Sequence, residues 1–209
     1  MPDTPASTPS SKVAQPDHAI SDVFAERWSH RSFADRPVAH ETLKRVLEAA
    51  RWTMSSYNEQ PWRYVVATQD APDAFEQMLG CLNEFNRSWA STAPVLMLSF
   101  ARTTFSKNDK PNRCALHDVG AASAALTFQA TELGLYVHQM AGIHRDEAAA
   151  RYDVPEPFEA VAGLALGYLG APENLPEDLQ KRETAERTRV PLSEFVFADR
   201  WGTPAPWLA

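Results

Sequence analysis

Hydrophobic and polar positions along this chain follow two periods, and the switches between them mark its elements. From Ala19 to Trp28, the apolar residues Ile20, Val23, Phe24 and Ala25 recur at helical spacing with Ser21 and Asp22 near the start, which predicts a first helix. The repeat is clearer from His40 to Trp52, where Leu43, Val46, Leu47 and Ala50 share one face and Glu41, Lys44, Arg45 and Glu48 the other. Trp62 to Thr68 reads as a strand, Ala71 to about Phe85 as a helix, and Pro94 to Ala101 as a buried strand. Arg113 to Leu133 is rich in alanine, has few breakers and is followed by Gly134 in a C-cap position, so it predicts a long helix with little polar surface, which must be buried. Its small residues from Gly120 to Ala125 allow another helix to approach closely, in the same chain or across a dimer. Leu135 to Met140 and Ala160 to Leu169 read as further strands, joined by a short helix around Arg145 to Tyr152. A proline- and charge-rich connection from Ala171 to Glu186 leads to a last short strand near Leu192 to Val196. Strands alternating with helices predict an α/β or α+β sandwich.

Composition narrows the classes. With 209 residues, 44% hydrophobic and 22% charged, the chain matches one folded domain with a substantial core. Its net charge of -7 argues against a general affinity for nucleic acid or an acidic membrane, so its arginines must act locally. The stretch 1–18, rich in Pro, Ser and Thr and without an apolar run, reads as a flexible N-terminal tail ahead of a single domain over 19–209, not as a signal peptide or anchor. Cys81 and Cys114 form no Cys-x-x-Cys pair, and the spacings of His117, His138 and His144 fit no metal pattern, so reduced thiols in a cytoplasmic setting and no metal are expected.

Two segments concentrate polar chemistry. Arg27, Ser29 and Arg31 occupy alternate positions of an extended stretch, where side chains two apart share a face, and two guanidiniums flanking a hydroxyl suit a phosphate. The same three residues are also compatible with a plain surface connection between two helices. Ser55, Ser56, Asn58 and Gln60 crowd short hydroxyls and carboxamides into a loop that stops at Pro61 before a strand, a loop able to read a planar polar ligand or simply to turn the chain. Arg187 and Arg189 form a second alternate pair, which read alone is equally a solvated strand edge. Neither Gly-x-Gly-x-x-Gly nor a P-loop occurs, and no nucleophile constellation is present.

In combination, Arg27-Trp28-Ser29-His30-Arg31 and Ser55-Ser56-Tyr57-Asn58-Glu59-Gln60-Pro61-Trp62 resemble the nitroreductase family of FMN-dependent oxidoreductases. The likeness continues through Asn86-Arg87-Ser88-Trp89-Ala90, His138-Gln139-Met140-Ala141-Gly142-Ile143, Arg187-Thr188-Arg189 and the late Trp201-Gly202, in family order over roughly residues 20 to 202. The resemblance implies an α+β nitroreductase-like fold with a central, mostly antiparallel sheet flanked by helices, in a homodimer. It implies that Arg27, Ser29, Arg31, Arg187 and Arg189 hold the phosphate and ribityl chain of FMN, with Trp28 contributing its backbone. It implies that Asn86 meets the flavin edge, that Met140, Ala141 and Gly142 lie against the ring, and that Ser55, Ser56, Asn58 and Gln60 reach the flavin of the partner subunit. Met54 stands where the family often has Pro, and Ala141 where some members have Glu. The implied activity is hydride transfer from NADH or NADPH through FMN to an electron-poor acceptor (nitroaromatic, quinone or free flavin) in a ping-pong cycle, with no protein acid or base. The alternative is a flavin-binding store or sensor without turnover. Phe105 and the polar stretch Thr103 to Pro111 are candidates for a lid.

Overall fold

A computed structural model describes residues 8–208. Its frame is a four-stranded antiparallel sheet in the order β1-β2-β4-β3, with β1 Trp62–Thr68, β2 Val95–Arg102, β3 Tyr136–Met140 and β4 Phe158–Gly167. β2 is central and buried on both faces until Arg102, which explains why its sequence is a continuous apolar run instead of an alternation. Alternation survives in where its side chains go. Leu96, Leu98 and Phe100 point into one core with Phe75, Met78, Trp89 and Met140, while Val95, Met97 and Ala101 point into the other with Val46, Trp62, Leu126 and Leu164. Helices α3 Pro72–Leu79, α4 Glu84–Ala90 and α6 Arg145–Arg151 cover the first side, and α2 His40–Arg51 and α5 Ala115–Glu132 pack together on the second. The result is an α+β sandwich with helices on both faces of the sheet.

The periodic segments form as their patterns predict. α2 buries Leu43, Val46 and Ala50, and α5 ends on Gly134 with φ 71°, where Gly134 N–H donates to Thr131 O at 2.9 Å and Leu135 N–H to Ala130 O at 2.8 Å. α5 is not buried all round: Leu116, His117 and Gly120 are exposed, and a Cβ at Gly120 would meet nothing.

Four expectations are corrected. The first helix is shorter, α1 Asp22–Glu26. The helix expected over Ala71 to Phe85 breaks into α3 and α4, because Gly80 ends the first and Asn83 starts the second by accepting Asn86 N–H at 2.9 Å on its side chain. The connection from Ala171 to Glu186 contains a helix, α7 Glu177–Thr184, with acids in its first turn and Lys181 and Arg182 in its last, matching the helix dipole. The last strand is absent: Leu192–Glu194 is a single 3-10 turn after Pro191. Of the tail expected over 1–18, residues 1–7 lie outside the described residues, and in the described part Lys12 is buried at 5% exposure, so the chain there is held to the body. Among the described residues no helix is long and apolar enough to cross a membrane.

Candidate functional site

Burial alternates residue by residue through Arg27 to Ser32: Trp28, His30 and Ser32 point in, Arg27, Ser29 and Arg31 point out. The inward set anchors the segment. His30 lies between the rings of Trp28, Phe33 and Tyr136, and its carbonyl accepts from His138 Nδ1 at 2.9 Å. Ser32 Oγ donates to Ala171 O at 2.5 Å, and Gly170 passes so close that a Cβ there would meet the Phe33 carbonyl carbon at 2.5 Å. Glu183 of α7, 1% exposed, accepts Arg31 N–H at 2.8 Å and Ser32 N–H at 3.4 Å, and thereby clasps α7 to the arginine segment.

That clasp delivers the late basic pair. Leaving α7, the chain carries Arg187 and Arg189 to Arg27, and Lys12, Arg27, Trp28, Ser29, Arg182, Arg187 and Arg189 line a cavity of about 330 Å³, with Glu186 the one acid among the described lining residues. Arg27 Nη1 donates to Ser29 Oγ at 3.2 Å, and Arg187 Nη1 donates to Lys12 O and Ala25 O, each at 2.6 Å. Burial lowers the proton affinity of the Arg27 guanidinium, and the charges of Arg187 and Arg189 lower it further. Arg187 is lowered by burial and by Arg189, and Lys12 by burial and by Arg187 and Arg31 against the pull of Glu183. Like charges packed this way are a standing cost that an anion removes. The arrangement offers forked donors of a kind suited to phosphate.

Arg31 stands apart from the cavity lining. Its guanidinium sits 5.9 Å above the Trp89 ring and 3.7 Å from Glu183. Through Trp89 it is next to α4, whose Phe85 also lies 5.3 Å under Arg182. The basic cluster is therefore continuous with the helix that carries Asn86.

Asn86 is buried, and one N–H of its carboxamide donates to Gly142 O at 3.1 Å, the same carbonyl that accepts Asn83 N–H at 3.0 Å. A Cβ on Gly142 would meet Asn83 Nδ2 at 2.3 Å and Asn86 Nδ2 at 2.6 Å, so the missing side chain first of all admits these two carboxamides. Met140 is buried at the end of β3 and Ala141 is exposed beside it. Asn86 and Met140 to Gly142 thus form one corner, adjoining the cation cluster.

The Ser55 to Gln60 loop lies elsewhere. Ser56 N–H donates to Asp118 at 3.0 Å near the start of α5, whereas α1, just before the arginines, packs Phe24 on Phe128 at 4.4 Å. Ten helical residues between these contacts put them about 15 Å apart along the axis. Within one chain the loop and the arginines do not meet. The loop is also conformationally unusual: Tyr57, Asn58 and Gln60 have φ of 54°, 55° and 49°, held by Gln60 N–H on Ser55 Oγ at 3.0 Å. Tyr57 is 91% exposed and meets Phe105 of the segment 103–111 edge-on at 5.8 Å.

Sequence reasoning missed Lys12, Arg182 and Glu183. Lys12 sits in a stretch whose composition reads as tail, and Glu183 and Arg182 in one that reads as linker. The signal available was the acid-first, base-last pattern of 177–184 with Leu179 and Glu183 four apart on one face.

The model of the nitroreductase family matches residues 24–168. An uncharacterized 15.4 kDa protein of the ask 5' region of Mycolicibacterium smegmatis is 35% identical over 134 residues, 64% of this chain and 88% of its own. A nitrobenzene nitroreductase of Ectopseudomonas oleovorans is 44% identical, but over 52 residues, 25% of this chain and 23% of its own. The crystal structure of an oxidoreductase containing FMN superposes with a TM-score of 0.85 at 36% identity, over 90% of this chain and 96% of that one. With the family model spanning well over half of its residues, and with the sheet order and arginine segment described above, this chain belongs to the nitroreductase family.

Proposed function

We propose that this chain is an FMN-dependent oxidoreductase that passes electrons from NADH or NADPH to an electron-poor acceptor in a ping-pong cycle, working as a homodimer. The observation that carries the reading is the cavity lined by Arg27, Ser29, Arg187 and Arg189, whose crowded cations suit a phosphate and whose continuation along α4 leads to Asn86. The residues fit FMN. Arg27, Arg187, Arg189 and Ser29 would hold the phosphate, Asn86 would offer its remaining N–H and its carbonyl to the polar edge of the ring, and Met140 to Gly142 would line its face. Bound there, FMN would supply the hydride-accepting and hydride-donating chemistry.

The chain's own work is positioning. Arg187 is preset by its two carbonyl partners, so little order is lost when an anion arrives. Glu183 keeps Arg31 and its neighbouring N–H groups in register. The Ser55 to Gln60 loop lies apart from the arginines of its own chain; it carries exposed Tyr57, follows exposed Trp52 and Met54, and is tied to α5, where Leu116 and Gly120 are open. These features support a second copy that lends its loop to the arginine site. The local match to a nitrobenzene nitroreductase makes a nitroaromatic the first acceptor to try.

The test is an absorbance spectrum of the purified protein before and after anaerobic NADH and NADPH. Flavin bands that bleach with a nucleotide and return on adding nitrobenzene or a quinone are expected. Bands that never bleach would leave a flavin-binding protein without turnover, and failure to take up FMN would sink the proposal.

A further inference from the structure

We propose that Lys12 is a phosphate-binding residue of this site, carried into it by the N-terminal segment Thr8 to Ala14, which precedes the stretch matched by the family model. The inference rests on the flavin reading above and adds to it a ligand from a part of the chain that the family pattern does not contain.

The segment is tied down at three levels. Ala14 N–H donates to Ala25 O at 2.9 Å, Thr8 Oγ1 donates to Glu26 O at 3.2 Å, and the same hydroxyl shares a hydrogen bond with Tyr136 at 2.5 Å. Between these anchors a single 3-10 turn, Ser10–Lys12, points Lys12 inward. The side chain is 5% exposed, an unusual state for a lysine, which is almost never fully buried unless paired. Its Nζ lies 4.8 Å from the Trp28 ring centroid and donates to Ala185 O, and its own carbonyl is held by Arg187 at 2.6 Å.

Those contacts use one of three ammonium N–H donors. Glu183, the acid whose charge favours the ammonium, gives Oε1 to the N–H groups of Arg31 and Ser32 and sets Oε2 3.7 Å from the Arg31 guanidinium, where Oε2 has no hydrogen bond among the described residues and Lys12 makes none to it. Lys12 forms no carboxylate ion pair of its own among the described residues. It lines the cavity with Arg27, Ser29 and Arg187, where Glu186 is the one acid among several cations of the described lining. A desolvated ammonium among guanidiniums is stabilised most by an anion placed between them. A phosphate fits: the forks of the arginines set its orientation, and the ammonium adds a point charge with free donors. A packing role alone, through Trp28 and Ala185, is the competing account.

The test compares FMN with riboflavin, which lacks the phosphate, in titrations of the apoprotein followed by flavin fluorescence. Inorganic phosphate is the second probe, read as a rise in thermal midpoint. Lys12→Met keeps the stem against Trp28 and removes the charge. It is expected to raise the Kd for FMN about tenfold, equal to ~1.4 kcal/mol, with riboflavin changed by less than about twofold and the stabilisation by phosphate reduced. Lys12→Arg should recover most of the FMN affinity. Equal weakening of FMN and riboflavin, or no change in either, overturns the proposal in favour of packing. Wild-type protein that takes up FMN normally while Lys12→Met is neutral refutes Lys12 alone. Wild-type protein that binds neither flavin, yet is stabilised by phosphate in a Lys12-dependent way, refutes the flavin reading and supports the anion site.

Discussion

The arginine cluster and the Ser55 to Gln60 loop lie at opposite ends of α5, and each bears a cost that the single chain does not recover. In the cluster the cost is electrostatic: Arg27 and Arg187 are lowered by burial and by like charges, and the described residues lining the cavity include several cations but one acid, Glu186. In the loop it is conformational, with three residues other than glycine in the left-handed region within four positions. The first is relieved by an anion, the second by whatever the loop is shaped to touch. In the two-copy site proposed above, one copy would supply charge and the other a preset surface.

Four experiments break or sharpen this contrast. The largest effect is expected from Arg187→Ala, which removes a cation from the cluster and both bonds that fix Lys12 and Ala25. FMN affinity should fall about a hundredfold, near the upper range for a charged hydrogen-bonding group, in a fluorescence titration. A change of less than about threefold would show that the cluster is not the anchor.

Next comes Gly142→Ala, aimed at the corner between the two regions. The added Cβ collides with two carboxamides, one on the helix cap and one on Asn86, so a loss of about 1–3 kcal/mol in denaturant unfolding is expected. An unchanged midpoint would mean that this corner yields easily and is a poor platform for a ring.

Acid should weaken the floor of the arginine segment. Burial, helped by the charge of His138, pushes His30 down to about 3, and burial pushes His138 down to about 4. Both are neutral when folded, while the unfolded chain binds protons below pH 6.5, so folding stability is lost as pH falls from about 6.5 toward 4 and below. Each histidine contributes a slope of up to about 1.4 kcal/mol per pH unit in that window. His30→Phe, a ring for a ring among Trp28, Phe33 and Tyr136, should flatten the profile. An unaltered profile would place the acid sensitivity elsewhere.

The smallest effect belongs to the loop. Gln60→Gly relieves a left-handed residue and should raise stability by about 0.5 kcal/mol after the entropy of glycine is counted. On the proposed dimer, the same change should impair flavin turnover while leaving phosphate binding intact. A stabilised protein with full turnover would detach the loop from the site.

The sequence by itself determined the elements and much of the chemistry. The four central strands and the helices α2 and α5 are legible because each carries a long run of one period, and the alternation of Arg27, Ser29 and Arg31 survives intact because its inward partners are large or well bonded. The nitroreductase motifs named the families of residues to watch. Only the tertiary structure decided how they combine. It brought Arg187 and Arg189 beside Arg27, over 150 positions away, through a helix hidden in a stretch that composition reads as linker. It set Arg31 against Trp89 and Glu183, drew Lys12 in from an apparent tail, and kept Ser55 to Gln60 away from the cations of its own chain. The physical reason is the range of the forces. Periodicity reports burial of a local face, which neighbouring residues settle, whereas a cluster of like charges is stable only when distant backbone carbonyls and one buried carboxylate converge on it, and no local pattern records that convergence.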